Sequence, residues 1–300
     1  MKRRLILVGF SLVVLVATFY GAWWTRHKKK VNDSLQQVFD SKTDQRMVLG
    51  KLREMGAKAT PFEVEALTQA NEVGSAAELA LLNNPHARES LPDILRLLEH
   101  KNPEVRARVA SVIEHHIRPQ DTFALPTLII TLSDPDSRVR EETALALSKF
   151  GPAATTAVPA LAQALDDSST NVRIMAAMAL FEIDNNQTAL TIPVLKEAIT
   201  NSDARNRHWA AVYLHRIDST DAGVLPVFIG SLTNDDSGIR ISAAYSLRPY
   251  GGEAKAAVPA LLNLLHDSDA EVRKAVRAVL GKIDPEALKT ADRETNVQNR

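Results

Sequence analysis

Cysteine is absent from the 300-residue chain. Its absence excludes disulfides, thiolate metal sites, a cysteine nucleophile and the lipidation site of a lipoprotein. Aromatic residues are scarce as well, at 5% of the chain, so the core must be aliphatic and rich in alanine. The 36 basic and 36 acidic residues cancel. A net charge of zero argues against binding to nucleic acid, because that affinity depends mainly on phosphate neutralisation.

Motifs of catalysis and of phosphate binding are also missing. The chain has no G-x-G-x-x-G, P-loop or G-x-S-x-G sequence and no His-Glu dipeptide. Glu114, His115 and His116 lie together without a matching group elsewhere, and His208 and His215 are seven residues apart. On a helix that separation is two turns, about 10–11 Å, which is too far for one metal ion. We therefore expect no enzymatic activity, no cofactor and no metal site.

The N-terminal segment from Met1 to Lys30 contains one long apolar run. Leu5 to Trp24 is an unbroken stretch without a charge, long enough to cross a bilayer as a helix. Basic residues flank it on both sides, and no small-x-small pattern marks a cleavage site. The pattern predicts an uncleaved anchor that spans the membrane at residues 5–24. Because the flanking charges nearly balance, the orientation stays open. A bacterial inner-membrane protein with its C-terminal part in the periplasm is the expected arrangement.

One sequence unit recurs six times along the rest of the chain, at nearly constant intervals. Each copy has a proline that is followed 14 positions later by an arginine. The prolines are Pro92, Pro126, Pro159, Pro193, Pro226 and Pro259. The arginines are Arg106, Arg140, Arg173, Arg207, Arg240 and Arg273. Six equal spacings in succession indicate a repeat protein.

Each copy predicts two helices joined by a polar loop. Proline suits the first turn of a helix, where its missing N–H is not needed. In four of the copies acidic or amide residues stand eight and ten residues after the proline, as Asp267 and Asp269 do in the last copy. The second of them can cap the next helix, whose positive end favours a carboxylate.

The second helix has apolar or small residues 13, 17, 20, 21 and 24 positions after the proline, which is the spacing of one buried helical face. In the last copy they are Val272, Val276, Val279, Leu280 and Ile283. Alanine recurs 18 positions after the proline in the first five copies and allows close helix packing. The last copy has Arg277 instead. A charge there is typical of a terminal repeat whose outer face meets water.

This combination of a helix beginning at proline, a D-x-D loop, a V-R pair and an alanine–leucine helix resembles HEAT repeats. It is most similar to the short bacterial type found in phycobilisome-lyase-like proteins. The resemblance covers about residues 89–284. It implies an all-α, right-handed α-solenoid in which the loop aspartates and the helical arginines form a ladder between neighbouring repeats.

Four segments are predicted from these patterns. They are a transmembrane anchor at 1–30, an irregular helical cap at 31–88, six HEAT-like repeats at 89–287 and a polar tail at 288–300. The tail is expected to fray, as exposed polar termini do.

The residues at positions 15, 16, 19 and 22 after each proline are expected to point away from the core. They are mostly polar in the first copies, whereas the third to fifth copies carry residues that are enriched where proteins bind one another. The candidate partner-binding residues are Ile174, Met175, Met178, Phe181, His208, Trp209, Val212, His215, Ile241, Tyr245 and Arg248. If the assignment of faces is rotated by one position, some of them belong to the core.

The expected function is that of a membrane-tethered HEAT-repeat scaffold that binds a protein partner through the outward face of its second helices. Two alternatives stay open. One is an accessory or lyase-type protein that holds a small molecule in the solenoid groove, and the other is an assembly factor that associates with itself. No nucleic acid is expected among the partners.

Overall fold

The computed structural model describes residues 60–68, 72–201 and 203–298, and every regular element in these ranges is helical. Two helices precede the repeats, α1 (Thr60–Leu67) and α2 (Glu72–Leu82). The six pairs are α3 (Leu91–Arg96) with α4 (Pro103–His116), α5 (Leu125–Thr131) with α6 (Ser137–Ser148), α7 (Val158–Ala164) with α8 (Thr170–Ile183), α9 (Thr188–Asn201) with α10 (Ala204–Ile217), α11 (Val224–Ser231) with α12 (Ser237–Leu247), and α13 (Val258–Leu264) with α14 (Ala270–Ile283). A last helix, α15, spans Pro285–Gln298. The predicted all-α repeat architecture is confirmed, while the right-handed sense of the solenoid stays a prediction.

The first helix of each pair starts near the repeated proline because of the chemistry of that residue. Pro126, for example, lies in the first turn of α5, where no intrahelical N–H bond is lost. The fourth pair differs, because α9 begins at Thr188, ahead of Pro193. Five of the six second helices begin at a capping side chain, and only Ser169, ahead of α8, makes no such bond. Asp136 and Asp269 each accept a hydrogen bond from the backbone N–H two residues on.

The chain divides into two compact units, of which the first ends at Ile117. Its described part holds α1, α2 and the first repeat pair. A buried polar network joins its segments: the Asn84 side-chain amide donates to the Glu63 carboxylate (2.7 Å) and to the Thr60 hydroxyl (3.0 Å). Burial raises the pKa of Glu63 above its ordinary value. Because it consists mainly of α1 and α2, the described part of the predicted cap is helical. Residues 31–59 lie outside the described residues.

The second unit starts at Arg118 and contains the other five pairs and α15. Its core is aliphatic, as the low aromatic content predicts. The alanines at position 18 after the proline are fully buried, and these are Ala144, Ala177, Ala211 and Ala244. The predicted apolar face of the last pair is buried as well, at Val272, Val276, Val279, Leu280 and Ile283. Small side chains at the helix contacts let neighbouring second helices pack closely.

Two rungs of the expected arginine–aspartate ladder are formed within the second unit. Arg140 donates two hydrogen bonds of 2.7 Å to the carboxylate of Asp167 in the next pair. Arg240 binds Asp267 in the same way, at 2.8 and 2.9 Å. Each arginine also donates to carbonyl oxygens of its own loop, so that it ties two repeats together. Arg173 does not repeat this arrangement, since an asparagine, Asn201, stands where the next pair would carry the aspartate.

The tail does not fray at residue 288. Asp284 accepts a hydrogen bond from the Ala287 N–H, Pro285 follows it, and α15 continues to Gln298. Arg277, expected to face water at the end of the stack, bonds Asp292 of α15 at 2.6 Å. The stack is therefore extended by one polar helix beyond its last pair.

No helix among the described residues is long and apolar enough to cross a membrane. The longest have 14 residues, or about 21 Å, whereas the hydrocarbon core of a bilayer is about 30 Å thick. This finding contradicts the predicted location, and the description as a single-pass inner-membrane protein with a periplasmic solenoid is wrong for the chain as described. The segment 5–24, on which that prediction rests, lies outside the described residues.

Two glycines in the links between pairs have backbone angles that side chains disfavour, Gly151 (φ 53°) and Gly251 (φ 49°). Replacing Gly251 by alanine should lower the free energy of unfolding by about 1 kcal/mol, because an L-residue is strained there. Gly230 serves as the matched control. It lies in α11 with open space around an added Cβ, so Gly230→Ala should stabilise by about 0.5 kcal/mol. Chemical denaturation of the two variants checks both signs, and equal effects would contradict the argument.

Candidate protein-binding face

The second helices of the second unit, α6, α8, α10, α12 and α14, present a repeated stripe of side chains. The stripe consists of the residues at positions 15, 16, 19 and 22 after each proline, and we call it the second-helix face. Steps of three and four residues place these positions on one side of a helix. All eleven candidate residues of the sequence analysis lie on this face, in the third to fifth pairs.

Three of the candidates are buried and cannot meet a partner in this conformation. The exposed fractions are 1% for Ile174, 5% for Met178 and 0% for His208, so the expectation that they point outward is wrong. The cause is visible at His208, whose Nε2 lies 2.8 Å from the hydroxyl of Ser242 on the next second helix. His208 thus packs sideways against the following repeat, and Ile174 is buried at the same position of the stripe, as the rotated assignment left open above allows, whereas Met178 is buried at the third position.

The other candidates remain accessible to different degrees. Met175, Phe181, Trp209, Val212, His215 and Ile241 are half-buried, and Arg248 is exposed. Tyr245 is 46% exposed, although it is a large apolar side chain. Trp209 and Tyr213 stack at 6.4 Å between ring centroids, which holds the Trp209 ring at the surface. These side chains form the accessible part of the second-helix face, and their role in binding stays a prediction.

An aromatic cluster supports the face between the fourth and fifth pairs. The Tyr250 hydroxyl lies 3.1 Å from His215 Nδ1, and Phe228, which is fully buried, contacts both rings. Burial raises the pKa of Tyr250, so the hydroxyl stays protonated at neutral pH. His215 is therefore held by its neighbours and contributes little to a free surface.

The sequence analysis overlooked Phe228 and Tyr250, although the repeat alignment contains a signal for each. Phe228 follows its proline by two residues, where Leu128 and Leu161 stand as core residues in other pairs. Tyr250 precedes the next proline by nine residues, as the buried Phe150 does. Both are larger or more polar versions of residues that the repeat places in the core.

His208 is an unusual member of this buried layer. Its Nδ1 is buried without a hydrogen-bond partner, while Nε2 is bonded to Ser242. Burial lowers the pKa of His208 to about 4, because the charged imidazolium would lose its hydration. The side chain is therefore neutral at physiological pH, and no group of residues in the described ranges could hold a metal ion around it.

Charges lie at opposite ends of the accessible face. Glu141 lies in the second turn of α6, is half-buried and accepts a hydrogen bond of 3.0 Å from the neutral side chain of Asn171. Arg248 follows the C-terminal end of α12 and pairs with no carboxylate of the described residues. Between them, Glu182 and Arg216 form an ion pair of 2.5 Å that joins α8 to α10 and closes one edge of the face.

A polar cavity of about 430 Å³ opens at the loops of the last two pairs, next to Asn234, Asp235 and Ser268. Arg240 lines it, but its guanidinium is already bidentate on Asp267. Of the charged side chains that line it, only the exposed carboxylate of Asp235 is not held in an ion pair, so the cavity offers a ligand no available cation. The second-helix face is therefore the stronger candidate.

The arrangement defines a class of protein, an all-α array of helix pairs whose second helices, within the second unit, present a repeated stripe of side chains. Comparison with protein families identifies which kind of helical repeat the pairs are. The model described as HEAT repeats matches residues 91–168 and 158–248, and the model described as HEAT repeat matches residues 257–285. The chain belongs to the HEAT-repeat family. No curated protein is significantly similar to it.

Solved structures show the same fold at low sequence identity. YibA of Escherichia coli is 19% identical, and the match covers 84% of this chain and 96% of that one, with a TM-score of 0.50. The complex of CpcE and CpcF of phycocyanin lyase from a Nostoc species is 18% identical over 75% of this chain and 94% of that one (TM-score 0.47). An engineered protein is 23% identical over 89% and 85% (TM-score 0.44). The likeness to YibA describes the fold and not the partner.

Proposed function

We propose that this protein is a HEAT-repeat scaffold that binds a protein partner through the accessible part of its second-helix face. The observation that carries the proposal is that Tyr245 is exposed while Trp209 and Met175 are half-buried at stripe positions of the two preceding pairs. Tyrosine, tryptophan, methionine and arginine are enriched at the centres of protein interfaces. The array holds these side chains in a fixed order, so that little ordering entropy is lost on binding.

The rigidity of the array supports a role in binding. The Arg140–Asp167 and Arg240–Asp267 rungs and the fully buried alanines fix each second helix against the next. A face built on regular helices keeps its side chains in position more accurately than one built on loops. The repeats thus supply area and shape, and a few accessible side chains supply affinity.

Tyr245→Ala should weaken partner binding by about tenfold or more, which corresponds to the loss of about 1.4 kcal/mol at an aromatic contact. Tyr245 is only about half covered by its own chain, so the melting temperature should change little. Affinity capture with the full chain followed by quantitative mass spectrometry compares wild type, Tyr245→Ala and Trp209→Ala. Gln163→Ala on the first helix α7 is the matched control, because that side chain is exposed on the other helix layer.

A protein that is retained by wild type and by Gln163→Ala but lost with both aromatic variants supports the proposal. Equal capture by all four chains contradicts it. Two further results would favour the alternatives: a small molecule released on denaturation of wild type but not of Trp209→Ala, or a mass that rises with protein concentration in light scattering.

A further inference from the structure

The accessible face has a direction, because its charges differ in sign at its two ends. Glu141 lies on α6, in the first pair of the second unit, and Arg248 lies at the end of α12, three second helices further on. The helices between them present Met175 and Trp209, with Tyr245 beside Arg248. A ligand that follows the face therefore meets a carboxylate, two apolar steps and then a guanidinium.

The distance between these ends follows from helix packing. Packed helices lie about 8–10 Å apart, so three steps from α6 to α12 cover about 24–30 Å. An extended chain in the polyproline II conformation repeats every three residues and advances about 9.3 Å in that interval. Every third side chain of such a segment would therefore stand over a successive second helix. About ten residues suffice to reach from Glu141 to Arg248.

The half-burial of Met175 and Trp209 favours a thin ligand over a second folded surface. Their side chains are partly covered by the protein, while Tyr245 and Arg248 are exposed at one end. A stable contact between two folded proteins buries about 800 Å² on each side, which needs a broad and flush surface. An extended chain in the polyproline II conformation needs only a narrow strip that contacts every third side chain.

We propose that the second-helix face of the second unit binds an extended segment of about ten residues from a partner protein, with a basic side chain at one end, an acidic group at the other and apolar side chains at every third position between them. The basic residue pairs with Glu141 and the acidic group with Arg248. Large apolar side chains at the fourth and seventh positions lie on Met175 and on Trp209. This inference rests on the proposed function and adds the chemistry of the partner to it.

Fluorescence anisotropy with the full chain and labelled ten-residue peptides tests the proposal. The bipolar peptide carries lysine at position 1, leucine at positions 4 and 7 and glutamate at position 10, with proline and serine elsewhere. In each of two like-charged control peptides, one end residue is exchanged, so that one peptide has lysine at both ends and the other has glutamate at both ends. A shifted peptide moves one leucine by one position. The bipolar peptide should bind about fivefold more tightly than each like-charged peptide, as expected for one accessible ion pair.

Charge reversal in the protein makes the test specific. Glu141→Lys should shift the preference to the peptide with two acidic ends, and Arg248→Glu should shift it to the peptide with two basic ends. The matched control is Gln163→Lys, which adds a charge on α7 and should leave the preference for the bipolar peptide unchanged. Circular dichroism confirms that all variants remain folded.

Four outcomes overturn the inference: no binding of any peptide at about 1 mM, equal affinity for the three charge patterns, equal affinity for the shifted peptide, or self-association of the chain that Glu141→Lys abolishes. The last result assigns the face to a second copy. None of them decides the proposed function, which depends on the loss of captured protein with Tyr245→Ala. If that capture is also unaffected, the proposed function fails as well.

Discussion

Replacing His208 by isoleucine should raise the free energy of unfolding at neutral pH by about 1 kcal/mol, since it removes a buried polar atom without a partner. The repeat itself supplies the replacement, because Ile174 and Ile241 occupy the equivalent position in the neighbouring pairs. His208 Nδ1 has no hydrogen-bond partner, and its burial penalty is lost with the ring. Ser242 loses the bond to Nε2, but it is half-buried and can reach water.

The same substitution should flatten the pH dependence of stability. The pKa of His208 is 6.5 in its ordinary state and about 4 in the fold. Between these values the unfolded chain binds more protons than the folded one, so stability rises with pH across this window and is lost as the pH falls from 6.5 to 4. The full effect is on the order of 3 kcal/mol.

Other groups in the protein do not obscure this effect. Asp267, whose pKa is lowered mainly by the hydrogen bond from Arg240, loses its pairing below its ordinary value of 3.8. Burial raises the pKa of Glu63 and of Glu78 in the first unit, which stabilises that unit as the pH falls. The difference between wild type and His208→Ile removes these common contributions.

Chemical denaturation at several pH values between 7 and about 4.5 provides the measurement, followed by circular dichroism. His266→Asn is the matched control, because it also removes a histidine, but one whose side chain is exposed. Wild type and His266→Asn should lose stability together as the pH falls, while His208→Ile stays level. Parallel curves for all three chains would show that His208 is not the titrating group.

Arg240→Met should destabilise the second unit by about 2–3 kcal/mol, because it leaves a carboxylate and two carbonyl oxygens without their donor. The Arg240 guanidinium binds Asp267 through two hydrogen bonds and also donates to the carbonyls of Asn234 and Asp235, at 2.8 and 2.9 Å. The side chains of Arg240 and Asp267 are only 12% and 7% exposed, so water replaces these bonds poorly. Thermal and denaturant unfolding of the full chain measure the loss.

A neighbouring ion pair is the control for this variant. Arg205 of the fourth pair bonds Asp236 of the fifth pair at 2.7 Å, but the two side chains are 65% and 42% exposed. Arg205→Met should therefore change stability much less than Arg240→Met, since exposed ion pairs contribute little. The double variant Arg240→Met/Asp267→Leu should recover part of the loss by removing the unpaired carboxylate. If both single variants are equally mild, the ladder is a surface feature and does not hold the repeats together.

The local sequence was sufficient to predict the helices of the repeats and where they begin. Pro126 begins a helix because its fixed backbone angle and missing N–H suit a first turn, and Asp269 caps one because its carboxylate reaches the free N–H groups. The spacing of the buried alanines was equally informative, because close packing between equivalent helices requires a small side chain in every repeat. These effects act within a few residues or repeat identically, so one chain contains all the information they need.

The candidate site was predicted only in part, because neighbouring repeats pack laterally and cover some of its side chains. The spacing places Ile174 and His208 on the same side of a helix as Met175 and Trp209, but the following repeat covers the first two and leaves the others accessible. A rotation of one residue, about 100° on a helix, separates core from surface there, and periodicity does not resolve so small a step.

The remaining differences between the sequence-based prediction and the structure also arise from contacts between segments that are distant in the chain. Tyr250 lies outside the stripe in sequence, yet it bonds His215 from the link to the next pair. Arg277 departs from the alanine pattern because α15 carries Asp292 to it, a contact that no repeat position predicts. By itself the sequence determined the helices, their pairing and their repetition, because propensities, caps and periodic burial are local. Only the tertiary structure decided which side chains of the second-helix face are free to bind, because exposure depends on the neighbour that packs beside each residue.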